Sequence, residues 1–427
     1  MIDLRRLRQD ADASRASLAR RLDPELAGQV DRVLELDRGY RESLARFEAL
    51  RAERKAASEE VARRKRAGQP ADDLLARLKA SGEEEKALDA TVRAGEAELT
   101  RELSLLPNFL LDEVPDGTAA ANRVVRTWGA APAFAFAPKP HWELGEALGI
   151  LDLPAGARLT GSGFPLFRGL GARLVRALAN FMLDLHVREH GYVEIAPPYL
   201  VNYESVYGTG QMPKFAEELY RTQDDDLYLI PTAEVPVTNI HRGDLLDGAR
   251  LPIAYVAWTP CFRREAGAHG KDTRGLIRVH QFDKVELVRF CRPEESEAEH
   301  EVITRHAETV LQRLELPYRV VDLAAGDTGN SSAHTLDLEV WAPGVDTWLE
   351  VSSASTFTDY QARRAGIRYR PGPGAKPEFV HTLNASGVAF PRCLIALLEN
   401  GQQADGSVRL PDALVPYVGV SRLEPPA

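Results

Sequence analysis

The first hundred residues carry a helical rhythm. Val33, Tyr40 and Phe47 recur every seven residues, with Leu36 and Leu44 filling the intervening seam. After the turn signal Gly68-Gln69-Pro70, a second run sets Leu78, Val92, Leu99 and Leu106 on another seven-residue ladder, with Leu74 and Leu88 on its companion seam. Apolar positions of that period bury one stripe of each helix against the other, so the pattern predicts two long helices in an antiparallel hairpin. Ser81 and Glu85 interrupt the second ladder, which predicts a looser middle. Each helix would be about 50 Å long at about 1.5 Å per residue. Such an arm has too little core of its own to be an enzyme.

The rhythm breaks at Leu106-Pro107-Asn108, and Pro115-Asp116-Gly117 marks a turn. The boundary divides an arm, 1–108, from a second domain, 109–427. Beyond it glycine, proline and aromatic residues increase, and strand-like runs alternate with helical ones. Leu174 to His190 reads as a helix ended by Gly191-Tyr192, and Val193 to Val201 reads as extended, broken by Pro197-Pro198.

Composition narrows the function without naming it. The 427 residues are 44% hydrophobic and 27% charged, an ordinary globular balance. No apolar run reaches the roughly 18 residues that a membrane span needs. The opening MIDLRRLRQD has charge but no apolar core behind it, so no export signal is expected. Three widely separated cysteines, Cys261, Cys291 and Cys393, form neither a metal pattern nor a disulfide framework, which points to a reducing, cytoplasmic compartment. A net charge of −10 argues against coating nucleic acid indiscriminately, so any such partner must meet local basic patches. Arg63-Arg64-Lys65-Arg66, at the arm's predicted tip, is one such patch. It reads either as a solvated helix end complementing the dipole or as a phosphate contact.

The most informative stretch is Thr259 to Val288, two strand-like ends joined by a Gly-rich loop over 266–275. Period-two alternation puts Arg263 and Glu265 on one face of the first strand. In the second strand it gathers Arg278, His280, Phe282, Lys284 and Glu286, with Val279, Val285 and Leu287 opposite. A lone Phe among charges makes a poor solvent face and suits a ring that stacks on a flat ligand.

FRREAGAHGKDTRGLIRVHQFDKVE resembles motif 2 of the class II aminoacyl-tRNA synthetases, in the form of the seryl enzymes. The resemblance runs on through PTAEV at 231–235, DLEVW at 337–341, LEVSSAS at 349–355, DYQARR at 359–364 and LNASGVAFPR at 383–392, the last similar to motif 3. EIAPPYLVN at 194–202 resembles motif 1, and the helical hairpin resembles the family's tRNA-binding arm. The implied fold is α+β: a long antiparallel coiled-coil hairpin, then a class II domain whose antiparallel β-sheet is flanked by helices. The implied activity is ATP-dependent activation of L-serine and its transfer to the 3′ end of tRNA(Ser), and of tRNA(Sec) as well. The implied assembly is a homodimer built through motif 1, with no membrane partner.

The resemblance also implies residue roles. Arg263 would hold the α-phosphate, Glu265 would orient ATP, Phe282 would stack on adenine, and Arg392 would cap its other face and reach the γ-phosphate. Arg264, Val279, Val351 and Ser352 would complete the ATP site. Glu350 and Ser353 would hold Mg²⁺ with ATP; strict alternation pairs Glu350 with Ser352 instead, so a bulge or strand end is required there. No tightly bound organic cofactor and no zinc site are expected. Serine would meet Thr232, Ala233, Glu234, Glu286 and Ser386, with Thr232 and Glu234 pointing the same way by alternation. Carboxylates suit its ammonium, and small hydroxyls suit its side chain. The loop over 266–275, with His269, Lys271 and Arg274, reads either as a contact for the acceptor end of tRNA, made through Lys271, or as a mobile loop with scattered charge; the cluster Arg63 to Arg66 would be a separate tRNA contact on the arm. Arg392 has independent support. Pro391 begins a predicted helix to about Glu399, and an Arg in its first turn opposes the dipole.

Two segments depart from the family pattern. Ala385 stands where Gly is common, and 326–330 is unusually polar. A ligase that charges a carrier protein is disfavoured by the arm, and an RNA-binding paralogue by the presence of Arg263, Glu286, Glu350 and Arg392 together.

Overall fold

The computed structural model describes residues 1–266 and 274–426. They form two compact units: Ile2–Ala19 with Asp23–Pro107, and Met1, Arg20–Leu22 and Asn108–Ala427.

In the first unit, α1 (Leu26–Arg66) and α2 (Asp72–Leu105) run 41 and 34 residues and pack as a hairpin. Gly68, with φ 68°, supplies the left-handed step of the turn. On the predicted seams Val33, Val92 and Leu99 are buried, while Tyr40 and Phe47 are half-buried. At the interrupted ladder Glu85 pairs with Arg54 and, at 3.7 Å, with Arg51, and Arg46 pairs with Glu84 at 2.7 Å. Charge therefore bridges the helices where apolar contact lapses. Near the base, Asp37 is buried within reach of Arg41 at 2.9 Å and Arg8 at 3.5 Å. At the tip, Arg63 and Arg64 share Glu60, and Arg64 also reaches Asp73 at 3.2 Å. Arg63, Lys65 and Arg66 remain exposed.

The second unit is organised by an eight-stranded sheet: β1 (Arg123–Trp128), β2 (Val193–Glu194), β3 (Ile253–Phe262), β4 (Gln281–Cys291), β5 (Tyr318–Asp322), β6 (His334–Ala342), β7 (Thr347–Thr358) and β8 (His381–Ala389). Their spatial order is β1-β5-β6-β7-β8-β4-β3-β2. Neighbours pair antiparallel except β2 with β3. Around the sheet lie α3 (His141–Ala147), α4 (Leu170–Arg188), α5 (Ser296–Arg313) and α6 (Phe390–Gly401). Leu178 and Met182 from α4, Ile303 and Val310 from α5, and Ile395 and Leu398 from α6 meet Val285 and Leu287 of β4 in one apolar core. Among the described residues no helix is long and apolar enough to cross a membrane.

Several local expectations change. The helix predicted over 174–190 spans Leu170–Arg188, because Gly169 (φ 51°) turns the chain into it earlier. The extended run 193–201 is split, and Leu200–Val201 pairs with Tyr228–Leu229 in a separate small sheet. Arg263 and Glu265 lie beyond the end of β3, and Arg278 and His280 precede β4. Glu265 adopts φ 52°, which a pleated strand cannot continue. Thr232 and Glu234 are not strand neighbours either. Glu234 opens the short helix Glu234–Thr238, with Pro236 in its first turn, where a missing N–H costs nothing.

Candidate active site

The pleat of β4 creates the site. Val285 and Leu287 enter the core, so Phe282, Lys284 and Glu286 face the other way, onto two clefts of about 190 and 610 Å³. The clefts share Arg263, Glu265, Arg278, Lys284, Glu350 and Ser386, so they form one depression. A separate hollow of about 240 Å³ also touches Phe282, and Asp283 is its one charged residue among the described lining residues.

The deep end holds buried charge. Glu234, Glu286 and Lys284 are 6%, 1% and 5% exposed. Lys284 Nζ lies 2.5 Å from Glu286 Oε2 and donates to Thr232 Oγ1 at 2.9 Å. Asn384 Nδ2 donates to Glu234 Oε2 at 2.9 Å and to Glu286 Oε1 at 3.2 Å. Gln361 Nε2 donates to Glu234 Oε1 at 2.6 Å, and Thr382 Oγ1 donates to Gln361 Oε1 at 2.7 Å. Burial, and then the neighbouring charge of Glu286, push the Glu234 carboxyl up to about 7 against the pull of Gln361, Lys284 and Asn384. Ser386 opens on the same space, braced from behind by Ser352, whose Oγ donates to the Ser386 carbonyl at 2.6 Å. The Ala385 methyl is buried in the main core and does not enter the pocket.

The outer end carries cations and the aromatic ring. The Arg263 guanidinium sits 5.2 Å from the Phe282 ring centroid, and Arg278 pairs with Glu265. Arg392, in the first turn of α6, donates through Nη1 to the Glu350 carbonyl at 2.8 Å and Oε2 at 3.2 Å, and through Nε to the Ile277 carbonyl at 3.2 Å. These acceptors, not the helix dipole, hold it. The bulge required by alternation is present: β7 and β6 pair Glu350 with Glu339 and then Ser352 with Leu338, so Val351 is the extra residue. Glu350 and Ser353 thereby reach one cleft.

Not every predicted residue converges. Val279 and Val351 line the narrower cleft. Ala233 is buried in an apolar cluster, Ser352 faces Ser386, and Arg264 is exposed, its backbone N–H bonded to the Glu218 carbonyl. Lys271 and His269 lie outside the described residues, and Arg63 to Arg66 belong to the other unit. Sequence reasoning passed over Lys284, Asn384 and Gln361 as site residues. Lys284 shares the alternating face of Phe282 and Glu286, and Asn384 lies two residues before Ser386 on β8. Gln361 offers no local signal, because only the fold brings it to Glu234.

Residues 215–401 match the tRNA synthetase class II core domain (G, H, P, S and T), and residues 1–110 match the seryl-tRNA synthetase N-terminal domain. The chain is 54% identical to the serine–tRNA ligase of Gemmatimonas aurantiaca, across 98% of this chain and 99% of that one. This chain belongs to the seryl-tRNA synthetase family. It is also 52% identical to the Geobacter sulfurreducens serine–tRNA ligase, over 98% and 99% of the two chains. The crystal structure of the Pyrococcus horikoshii seryl-tRNA synthetase complexed with ATP superposes with a TM-score of 0.93 at 38% identity, covering 100% of both chains. A cytoplasmic serine–tRNA ligase from Naegleria fowleri in complex with AMP gives 0.84 at 29% identity, over 97% and 96%.

The family's nucleotide chemistry makes the oxygen-rich corner by β7 a candidate cation site. Ser353 hydrogen-bonds Asp337, whose Oδ1 is buried without a partner. Burial, with Glu350 next to it, pushes the Asp337 carboxyl well above the usual range. Such hard oxygen donors, beside an open cleft, fit Mg²⁺ completed by phosphate oxygens and water.

The buried triplet has a measurable stability consequence. Lys284→Met would leave Glu286 and Glu234 facing each other without their cation, and should destabilise the folded chain by about 3–5 kcal/mol in urea unfolding. Adding Glu286→Gln should recover part of the loss; equal stability of Lys284→Met and wild type would contradict this account.

Proposed function

We propose that the chain is a serine–tRNA ligase that condenses L-serine with ATP to seryl-adenylate and pyrophosphate, then transfers the seryl group to the 3′ end of tRNA(Ser). The observation that carries this reading is the buried Glu234–Glu286 carboxylate pair, opening directly onto the Arg263–Phe282–Arg392 cleft. Two carboxylates share one ammonium there, so the pocket accepts a second cation, the α-ammonium of an amino acid. Thr232 and Ser386 offer hydroxyls to a serine side chain, and a site that hydrogen-bonds that hydroxyl penalises alanine.

The serine carboxylate is already ionised and needs no general base. Its oxygen attacks the α-phosphorus, forming the new P–O bond as the bond to pyrophosphate breaks. Arg263 neutralises charge at the α-phosphate, and Phe282 with Arg392 sandwiches the adenine, so catalysis consists of alignment and charge neutralisation. Glu350 and Ser353 would hold Mg²⁺, which neutralises phosphate charge when bound. In the second step the terminal ribose hydroxyl of tRNA takes the seryl carbonyl and AMP departs.

The exposed cations at the tip of α1 support a phosphate contact with tRNA. A homodimer is supported by the motif 1 segment, where Val193, Tyr199 and Leu200 are 57%, 48% and 45% exposed in the single chain. A cytoplasmic location fits three free, buried cysteines.

Pyrophosphate exchange across all twenty amino acids tests the reading. Serine alone should support exchange, without tRNA; no exchange with any amino acid would overturn it. The Glu234 carboxyl, pushed up to about 7, must be ionised to meet an ammonium. The KM for serine should therefore rise as pH falls below about 7, approaching about tenfold per unit, while the KM for ATP stays flat. Reversing the charges of Arg63, Lys65 and Arg66 should lower tRNA affinity and flatten its salt dependence while sparing exchange. Filter binding across a salt series reads this directly, and unchanged affinity would remove the tip from tRNA recognition.

A further inference from the structure

A buried acid–histidine pair lies outside the substrate cleft. His141, the first residue of α3, and Glu399, in the last turn of α6, are both 0% exposed. Glu399 Oε1 accepts from the His141 backbone N–H at 2.9 Å and from its ring Nδ1 at 2.8 Å. Glu399 Oε2 accepts from the backbone N–H groups of Gly344 at 2.8 Å and Val345 at 3.2 Å. A carboxylate facing Nδ1 places the ring hydrogen there and leaves Nε2 as an acceptor. Leu276 N–H, fully buried, donates to that Nε2 at 3.0 Å. The approach is close: a Cβ on Gly275 (φ 68°) would come within 2.2 Å of His141 Nε2.

The captured segment is the wall of the narrower cleft. Leu276 through Val279 line it, the Ile277 carbonyl accepts from Arg392 Nε, and Arg278 pairs with Glu265. A buried histidine in an apolar core is ordinarily explained by its own hydrogen bonds. Here the ring is a link whose far end is one residue from the carbonyl that orients Arg392. We propose that His141, held in one tautomer by Glu399, is a positioning residue for ATP, fixing the Leu276–Ile277 backbone and through it the Arg392 guanidinium. This rests on the proposed use of the cleft for ATP.

The test compares wild type, His141→Leu and His141→Gln by calorimetric titration with Mg-ATP, and by KM values for ATP and serine in pyrophosphate exchange. His141→Leu leaves the Leu276 N–H without an acceptor and should weaken ATP about fivefold to tenfold, with the serine KM within about twofold of wild type. The Gln side chain retains an acceptor and should restore ATP affinity to within about threefold of wild type. A purely structural role would lower the melting temperature of His141→Leu and leave ATP affinity unchanged; that result overturns the proposal. If His141→Leu does not fold, Glu399→Gln, which releases the tautomer while keeping the volume, is read in the same way, and unchanged ATP affinity again overturns it. A wild-type chain that binds ATP but exchanges with no amino acid would fail the proposed function and leave this comparison intact.

Discussion

Two carboxylates and one ammonium, nearly buried at the deep end of the cleft, set the terms for the second unit. Glu234 and Glu286 repel each other where the solvent cannot screen them, and Lys284 can neutralise only one. Such a cluster persists only if every remaining oxygen finds a donor. Asn384 and Gln361 supply N–H groups, and Thr382, donating to the Gln361 carbonyl oxygen, turns the amide so that its NH₂ faces Glu234. The required donors come from β8 and the helix after β7, while Thr232, in the loop before the Glu234 helix, accepts from Lys284. Satisfying one buried charge pair therefore fixes how these segments dock.

The same logic orders the outer cleft. Arg392 would oppose the dipole of α6, but its donors reach the Ile277 carbonyl and Glu350, while Arg278 meets Glu265. The bulge at Val351 lets one strand present Glu350 and Ser353 to the cleft while Ser352 turns back to brace Ser386. A regular strand could offer only one of those faces. The cleft is thus a place where β-structure departs from its period, with the polar groups freed by each departure taken up by a neighbouring segment.

The arm solves a different problem. A two-helix hairpin buries only one stripe per helix, and its apolar contact is richest around Val33, Val92 and Leu99. Farther along, Arg54 and Arg51 reach Glu85, and Arg46 reaches Glu84. Half-exposed ion pairs contribute little stability each, so they chiefly hold register where side-chain packing thins. Glu60 takes two of the tip arginines, which leaves the remaining cationic charge facing solvent.

The seven-residue ladders determined the hairpin, because its contacts repeat at one period along both helices. Alternation on β4 placed Phe282, Lys284 and Glu286 on one face, because a central strand has no freedom to do otherwise. The motifs, read by resemblance, pointed to the family that the comparisons show. Alternation failed at Arg263, Glu265, Thr232 and Glu234, which lie where strands end and a left-handed residue or a proline-bearing helical turn takes over. It demanded a bulge or a strand end near Glu350, and a bulge is there, but it could not say which residue was extra. Gln361 at Glu234 and His141 at Leu276 were invisible, since their partners are 127 and 135 residues away in sequence. Pattern along a chain determines which face a side chain takes. Which buried donor meets which buried acceptor is decided only when the sheet closes and desolvated polar groups compete for partners.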